Sequence, residues 1–240
     1  MNFNILRFET LESTNTEAAQ QARRGAAEGV CVAADEQTGG KGRQGRSWTS
    51  NRGAGVYMSL ILRPHLAPAK LPLITLTAAV AVYEVLDKCF LIKPDIKWPN
   101  DILVSGKKIC GILAEAVETP NGLAVVLGIG VNLDTPADDN STSVNAETSF
   151  RTTRDDVLEA VLSEFAETYD KLTASSSDVV EMWTARSSYA AGLRVRVVLS
   201  DGTIEGVTDG LEPSGALRVK LADGSTRVIH AGDVERLRTT

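Results

Sequence analysis

Cysteine is scarce in this sequence: Cys31, Cys89 and Cys110 are odd in number, far apart, and each lies in an apolar stretch. That excludes a disulfide scaffold and predicts three reduced core residues of a cytoplasmic protein. Long hydrophobic runs are also missing. The longest uncharged apolar stretch, Leu71 to Tyr83, falls short of the roughly 20 residues that cross a bilayer, and Met1 to Thr14 has no signal-peptide pattern, so no membrane association is expected. Nor is there a cationic excess: 25 Lys and Arg face 31 Asp and Glu, a formal charge of −6. A surface built to hold nucleic acid needs the opposite balance, so no nucleic-acid partner is expected.

One absence is local. No acidic residue occurs from Gln37 to Tyr83, while Lys41, Arg43, Arg46, Arg52, Arg63 and Lys70 all fall there. An acidic chain therefore carries a cationic segment, and that segment opens in a run of glycines. The remaining composition, 43% hydrophobic and 23% charged over 240 residues, is that of one large globular domain with a small appendage.

Periodicity predicts a strand around Phe3 to Phe8, then a helix capped at Ser13-Thr14-Asn15 and ending at Gly25, then a strand from Val30 to Glu36. A long glycine-rich loop spans Gln37 to Gly55 and a strand covers Val56 to Leu62. A core helix follows from Leu71 to Phe90, and an antiparallel meander runs from Ile96 to Val131 with turns at Ser105-Gly106-Lys107 and Asn121-Gly122. Polar residues 134 to 150 connect to amphipathic helices at Asp155–Leu172 and Asp178–Ala190. Beyond Gly192, short alternating strands at hairpin spacing predict a small five-stranded barrel. The division is therefore residues 1–190 and 191–240, in an α+β chain.

Gly40-Lys41-Gly42-Arg43-Gln44-Gly45 spells G-x-G-x-x-G, but no helix follows it and the next acid is Glu84, which rules out a Rossmann site. A Walker loop fails because neither Gly40-Lys41 nor Gly106-Lys107 is followed by Ser or Thr. What remains is a cationic loop ending in Trp48. It suits a phosphate or carboxylate beside a flat base, and suits equally a solvated turn anchored by its tryptophan. In Lys97-Trp98-Pro99-Asn100-Asp101, Asp101 is either a carboxylate for Mg²⁺ or part of an Asx turn. Lys108, entering the apolar run Ile109-Cys110-Gly111-Ile112-Leu113, either meets a ligand or guards a sheet edge. Gly128-Ile129-Gly130-Val131-Asn132 ends another strand in small residues and one amide.

Ser13-Thr14-Asn15, Gln37 with GGKGRQGRSW, KWPND, KKICGIL and GIGVNL, taken in this order and spacing, resemble the catalytic domain of biotin protein ligases. The segment around Gly215-Ala216-Leu217 resembles the SH3-like domain that follows it. The resemblance implies a class II aminoacyl-tRNA synthetase-like ligase fold with a mixed or antiparallel sheet. It also implies an enzyme that makes biotinyl-5′-AMP from biotin and ATP, then transfers biotin to one lysine of a biotin carboxyl carrier protein of a carboxylase. By the same resemblance Ser13, Thr14 and Asn15 contact the biotin head, with Gln37 at the pocket's edge and Gly40, Lys41, Gly42 and Arg43 over the tail and adenylate. Gly111 and Leu113 line the biotin ring. Arg46 and Trp48 belong to the nucleotide side, Trp48 stacking on adenine and Asn132 bonding it. Lys108 bridges the biotin carboxyl and the phosphate, with Arg43 and Lys41 as the other catalytic cations, and Asp101 lies near Mg²⁺.

Lys41 departs from the family's usual arginine, keeping the charge but losing the planar fork, and Gln44 loses a charge at a solvent-facing position. The front of the chain has no helix-turn-helix pattern, so a monofunctional ligase is expected, as a monomer or weak homodimer. Lipoate protein ligase is the rival within enzymes, but His65 and His230 lack the histidine–aspartate setting of that family's loop. A non-catalytic biotin-binding module is the other rival, and it would not need Arg43, Lys108 and Asp101 together. The glycine content also predicts that residues 38–47 are disordered without ligand and close over the adenylate.

Overall fold

The structure is a computed structural model that describes residues 1–134 and 138–237. Strand β1 (Asn4–Leu11) leads into helix α1 (Thr14–Arg23), whose N-cap is Ser13, and then into β2 (Val30–Gln37), which pairs with β1 in parallel. The glycine-rich loop contains one short 3₁₀ turn, Arg43–Gly45, and returns through β3 (Gly55–Leu62). After α2 (Leu73–Lys88) comes the expected meander: β4 (Pro94–Lys97), β5 (Asp101–Val104), β6 (Lys107–Thr119) and β7 (Gly122–Asn132). The seven strands make one mixed sheet, ordered β1-β2-β3-β7-β6-β5-β4.

Period-two alternation places the core on both sheet faces. Val56, Met58, Leu60 and Leu62 of β3 join the larger cluster under α2, α4 (Arg154–Ala174) and α5 (Ser176–Thr184), which follow the short α3 (Val144–Glu147). Ile61 joins the smaller cluster beneath α1, with Ala18, Ala22, Val117, Ala124 and Val126. The turn and helix over Pro68–Lys88 have the length and hydropathy of a candidate membrane span, more than the sequence reading allowed. Most of that segment is buried against the sheet, α4 and α5, which accounts for its composition.

Two expectations are corrected. Helix α5 stops at Thr184 rather than Ala190, because the serines beyond it pair with β4: Ser188 donates to both Asp95 carboxylate oxygens, at 2.8 Å from its backbone N and 2.6 Å from Oγ, and Ser187 Oγ donates to the Ile96 carbonyl. Serine hydroxyls compete with helical backbone bonding in this way. Cys31 and Cys110 are buried as expected, but Cys89, at the end of α2, is exposed.

The C-terminal residues form a second, five-stranded antiparallel sheet of SH3-like type. It comprises β8 (Ala191–Leu199), β9 (Gly202–Leu211), β10 (Leu217–Lys220), β11 (Thr226–Ile229) and β12 (Asp233–Arg236), in the order β11-β10-β9-β8-β12. Trp98, almost fully buried, ties it to the large sheet: its indole N–H donates to the Gly215 carbonyl at 3.0 Å. The tryptophan of KWPND is thus an anchor between sheets.

Candidate active site

A cleft lies on the α1 face of the large sheet, between the N-terminus of α1, the glycine-rich loop and strands β6 and β7. Its floor is made of missing side chains. Gly111 and Gly130 are register partners, and a Cβ on either would lie 2.8 Å and 2.5 Å from the Trp48 ring, respectively. Next to them, a Cβ on Gly128 would lie 2.2 Å from Asn15 Oδ1. All three contacts are inside van der Waals distance, so these glycines make room for the indole and the amide. The sequence suggested a ligand passing close to Gly111; in this structure it is Trp48 and the Lys108 side chain that pass there.

One wall is a polar network. Thr14 N donates to Gln37 Oε1 at 2.8 Å, and Gln37 Nε2 donates to Ser50 Oγ at 2.7 Å. Thr14 Oγ1 lies 3.1 Å from Gln37 Oε1 and 2.7 Å from Ser59 Oγ. Ser59 Oγ donates to Asn15 Oδ1 at 2.6 Å, and Asn15 Nδ2 donates to Glu115 Oε2 at 2.7 Å. Ser13, Thr14, Asn15 and Ser59 are buried, so this network is held in place by the fold.

The other wall is cationic. Lys41, Arg43, Arg46 and Lys108 line the cleft, and Asp101 is the one carboxylate lining it among the described residues. Lys108 Nζ lies 2.6 Å from Asp101 Oδ1 and 5.1 Å from the centre of the Trp48 ring. Arg43 Nη1 donates to Asn100 Oδ1 at 3.2 Å and stands 3.6 Å from Asp233 Oδ1 of the second sheet. Arg46 Nη2 reaches the same Asp233 oxygen at 2.9 Å. Burial lowers the Arg43 pKa, with Asp233 pulling it back up; a guanidinium stays charged under such conditions. The loop meant to be loose is bonded to itself, through Gly42 N to the Arg46 carbonyl at 2.7 Å and Trp48 N to the Gly40 carbonyl at 2.8 Å.

Ser13, Thr14, Asn15, Gln37, Lys41, Gly42, Arg43, Arg46, Trp48, Asp101, Lys108, Gly111 and Leu113 all line this cleft. Two expected residues stand back from the lining. Gly40 is buried under the Trp48 carbonyl, and Asn132 Nδ2 donates to the Lys108 and Thr142 carbonyls at 3.3 and 3.0 Å. The indole N–H of Trp48 is buried without a hydrogen-bond partner.

Ser59, Glu115 and Asp233 belong to the site without standing in any of the sequence motifs, whereas Asn100 and Gly128 stand in KWPND and GIGVNL with no site role assigned to them. Ser59 had a signal, being the one hydroxyl in the buried run Gly55–Leu62 apart from the Tyr57 phenol. No group of three or more His, Cys, Asp or Glu side chains among the described residues forms a metal cage. A Mg²⁺ carried on nucleotide phosphates needs only one or two protein carboxylates, and Asp101 fits that limited part.

The comparisons agree along nearly the whole chain. Residues 7–132 match the biotin/lipoate A/B protein ligase family, and residues 192–237 match the biotin protein ligase C terminal domain. The bifunctional ligase/repressor BirA of Bacillus subtilis is 37% identical over 246 residues, covering 98% of this chain and 74% of that protein. The biotin–[acetyl-CoA-carboxylase] ligase of Paracoccus denitrificans is 34% identical, covering 93% and 96%. The Aquifex aeolicus biotin protein ligase in complex with biotin and ATP superimposes with a TM-score of 0.85 at 27% identity, covering 98% and 99%.

Proposed function

Since the chain belongs to the biotin/lipoate A/B protein ligase family, as a biotin protein ligase, we propose that its cleft activates biotin with ATP and passes the biotinyl group to a carboxylase's carrier domain. The observation that carries this reading is the meeting of four cations, Lys41, Arg43, Arg46 and Lys108, with a fixed network of amides and hydroxyls in one cleft. A neutral bicyclic head with urea N–H and C=O groups suits the Thr14–Gln37 wall. A carboxylate and a triphosphate need the other.

In the first step a biotin carboxylate oxygen attacks the α-phosphorus of ATP; the bond to the β-phosphate bridge breaks and pyrophosphate leaves. Two anions must be brought together, so Lys108 and Arg43 offset their repulsion and stabilise the charge that builds on the α-phosphate oxygens. Lys41 and Arg46, on the loop above, hold the phosphates. Lys108 must leave Asp101 in part to do this, and the 2.6 Å pair sets its resting position. Asp101 is the carboxylate that would hold a Mg²⁺ arriving with ATP, and a metal there would offset phosphate charge. In the second step an acceptor lysine amine attacks the acyl carbon, AMP leaves, and an amide forms. Trp48 and the loop keep water from the mixed anhydride.

The named ligases of Paracoccus denitrificans and Mycobacterium tuberculosis act on acetyl-CoA carboxylase, and a carrier domain of that kind is the proposed acceptor. The test is incubation of the protein with biotin, ATP, Mg²⁺ and a carrier domain, with streptavidin detection. Labelling that requires ATP and disappears when the carrier lysine is replaced supports the reading. Labelling absent under all conditions contradicts it.

A further inference from the structure

The hydrogen bonds behind the cleft have a direction, and its source lies outside the residues assigned to biotin. Glu115 Oε2 accepts from Asn15 Nδ2 at 2.7 Å. An ionised carboxylate can only accept, so the Asn15 amide must turn its nitrogen to Glu115 and its oxygen to Ser59. Ser59 Oγ is 2.6 Å from that oxygen and has one proton, which Asn15 takes. The Thr14 hydroxyl is left to donate inward, to Ser59 Oγ at 2.7 Å or Gln37 Oε1 at 3.1 Å. Either way its proton points into the protein and it meets a ligand only as an acceptor. Gln37 has Oε1 filled by Thr14 N and one amide proton on Ser50, which leaves a single N–H to offer.

We propose that Glu115 is a positioning residue that keeps the Thr14 hydroxyl an acceptor beside the donor that the Thr14 backbone N–H fixes at Gln37, and thereby selects a cyclic urea with an N–H next to its carbonyl. The proposal rests on the biotin reading above. Glutamine at 115 presents either an oxygen or an N–H, so Asn15 and Ser59 gain a second arrangement that turns Thr14 toward the wrong polarity. A site built to bond an N–H discriminates strongly only while its own groups stay fixed.

The test compares the wild type with Glu115→Gln and Ser59→Ala in biotin-dependent pyrophosphate release, using biotin and a derivative methylated at a urea nitrogen. Both variants are expected to raise the KM for biotin about tenfold, the loss of roughly one oriented hydrogen bond. The kcat and the KM for ATP should stay within about twofold, and the preference for biotin over the methylated derivative should shrink. Ser59→Ala breaks the chain two links away without touching the carboxylate, so it carries the test where Glu115→Gln folds poorly. A lowered melting temperature with an unchanged biotin KM and unchanged preference overturns the proposal. Wild-type protein inert toward biotin overturns the function itself, a different result from active wild type with indifferent variants.

Discussion

Replacing Lys108 by Met separates catalysis from stability. The Lys108–Asp101 pair is 2.6 Å long with side chains 33% and 20% exposed, so solvent screens it. Its loss costs about 1 kcal/mol of folding stability, an effect of about 2–4 °C in melting temperature for a chain of this size. The cation over Trp48, at 5.1 Å, adds about 0.5 kcal/mol to that cost. Removing a cation aimed at charge that develops in the transition state costs far more, about 2.7–4 kcal/mol, or roughly 10²–10³ in rate. The assay is biotin-dependent pyrophosphate release alongside thermal melting, with exposed Lys107→Met as the control. Lys108→Met is expected to lose at least about a hundredfold in kcat while melting within about 5 °C of the wild type. A loss below tenfold, or an equal loss in Lys107→Met, refutes the assignment of Lys108 to the phosphate.

Three further outcomes follow from packing and charge. Gly130→Ala places a Cβ 2.5 Å from Trp48 Nε1, pushing the ring about 1 Å outward, and turnover should fall about a hundredfold; unchanged turnover would mean the floor plays no part. Asp233→Ala removes the carboxylate that holds Arg43 and Arg46, leaving Arg43 only its 3.4 Å bond to the Gly232 carbonyl on that side, so trypsin should cut after them faster without ligand, and biotin with ATP should restore protection; equal cutting rates would show that Asp233 does not hold the loop. Burial pushes the Glu84 carboxyl up, but pairing with Lys88 and Arg186 outweighs it and holds the pKa below its usual range. Its stabilisation is therefore present above the unfolded-state pKa and is lost as pH falls through the lower folded value. Glu84→Gln should cost about 3 kcal/mol at pH 7 in denaturant melts, and the cost should shrink steadily as pH is lowered below the unfolded carboxylate range, whereas a pH-independent difference would contradict the ion-pair account.

The parts of the fold legible in the sequence were those governed by local periodicity and turns, such as the β6–β7 hairpin at Asn121-Gly122 and the Ser13 cap of α1. Local motifs also located most of the cleft, because GGKGRQGRSW, KKICGIL and GIGVNL each bring several lining residues at once. What stayed hidden depends on neighbours distant in the chain. Glu115 meets Asn15 across 100 residues, and Arg46 meets Asp233 across 187. The end of α5 was misjudged for the same reason, since Ser187 and Ser188 look helix-compatible until Asp95 and Ile96 of β4 are beside them. Asn132, expected to bond adenine, has its Nδ2 held by two backbone carbonyls, so its Oδ1, as an acceptor for the adenine amine, is the atom that expectation rests on.

Pyrophosphate release from ATP, measured with biotin and separately with lipoate, tests most directly that this cleft activates biotin. The expected result is release with biotin, accumulation of biotinyl-5′-AMP when no acceptor is present, and no release with lipoate. Release with lipoate but not biotin would contradict the account and move the protein to the lipoate branch of its family.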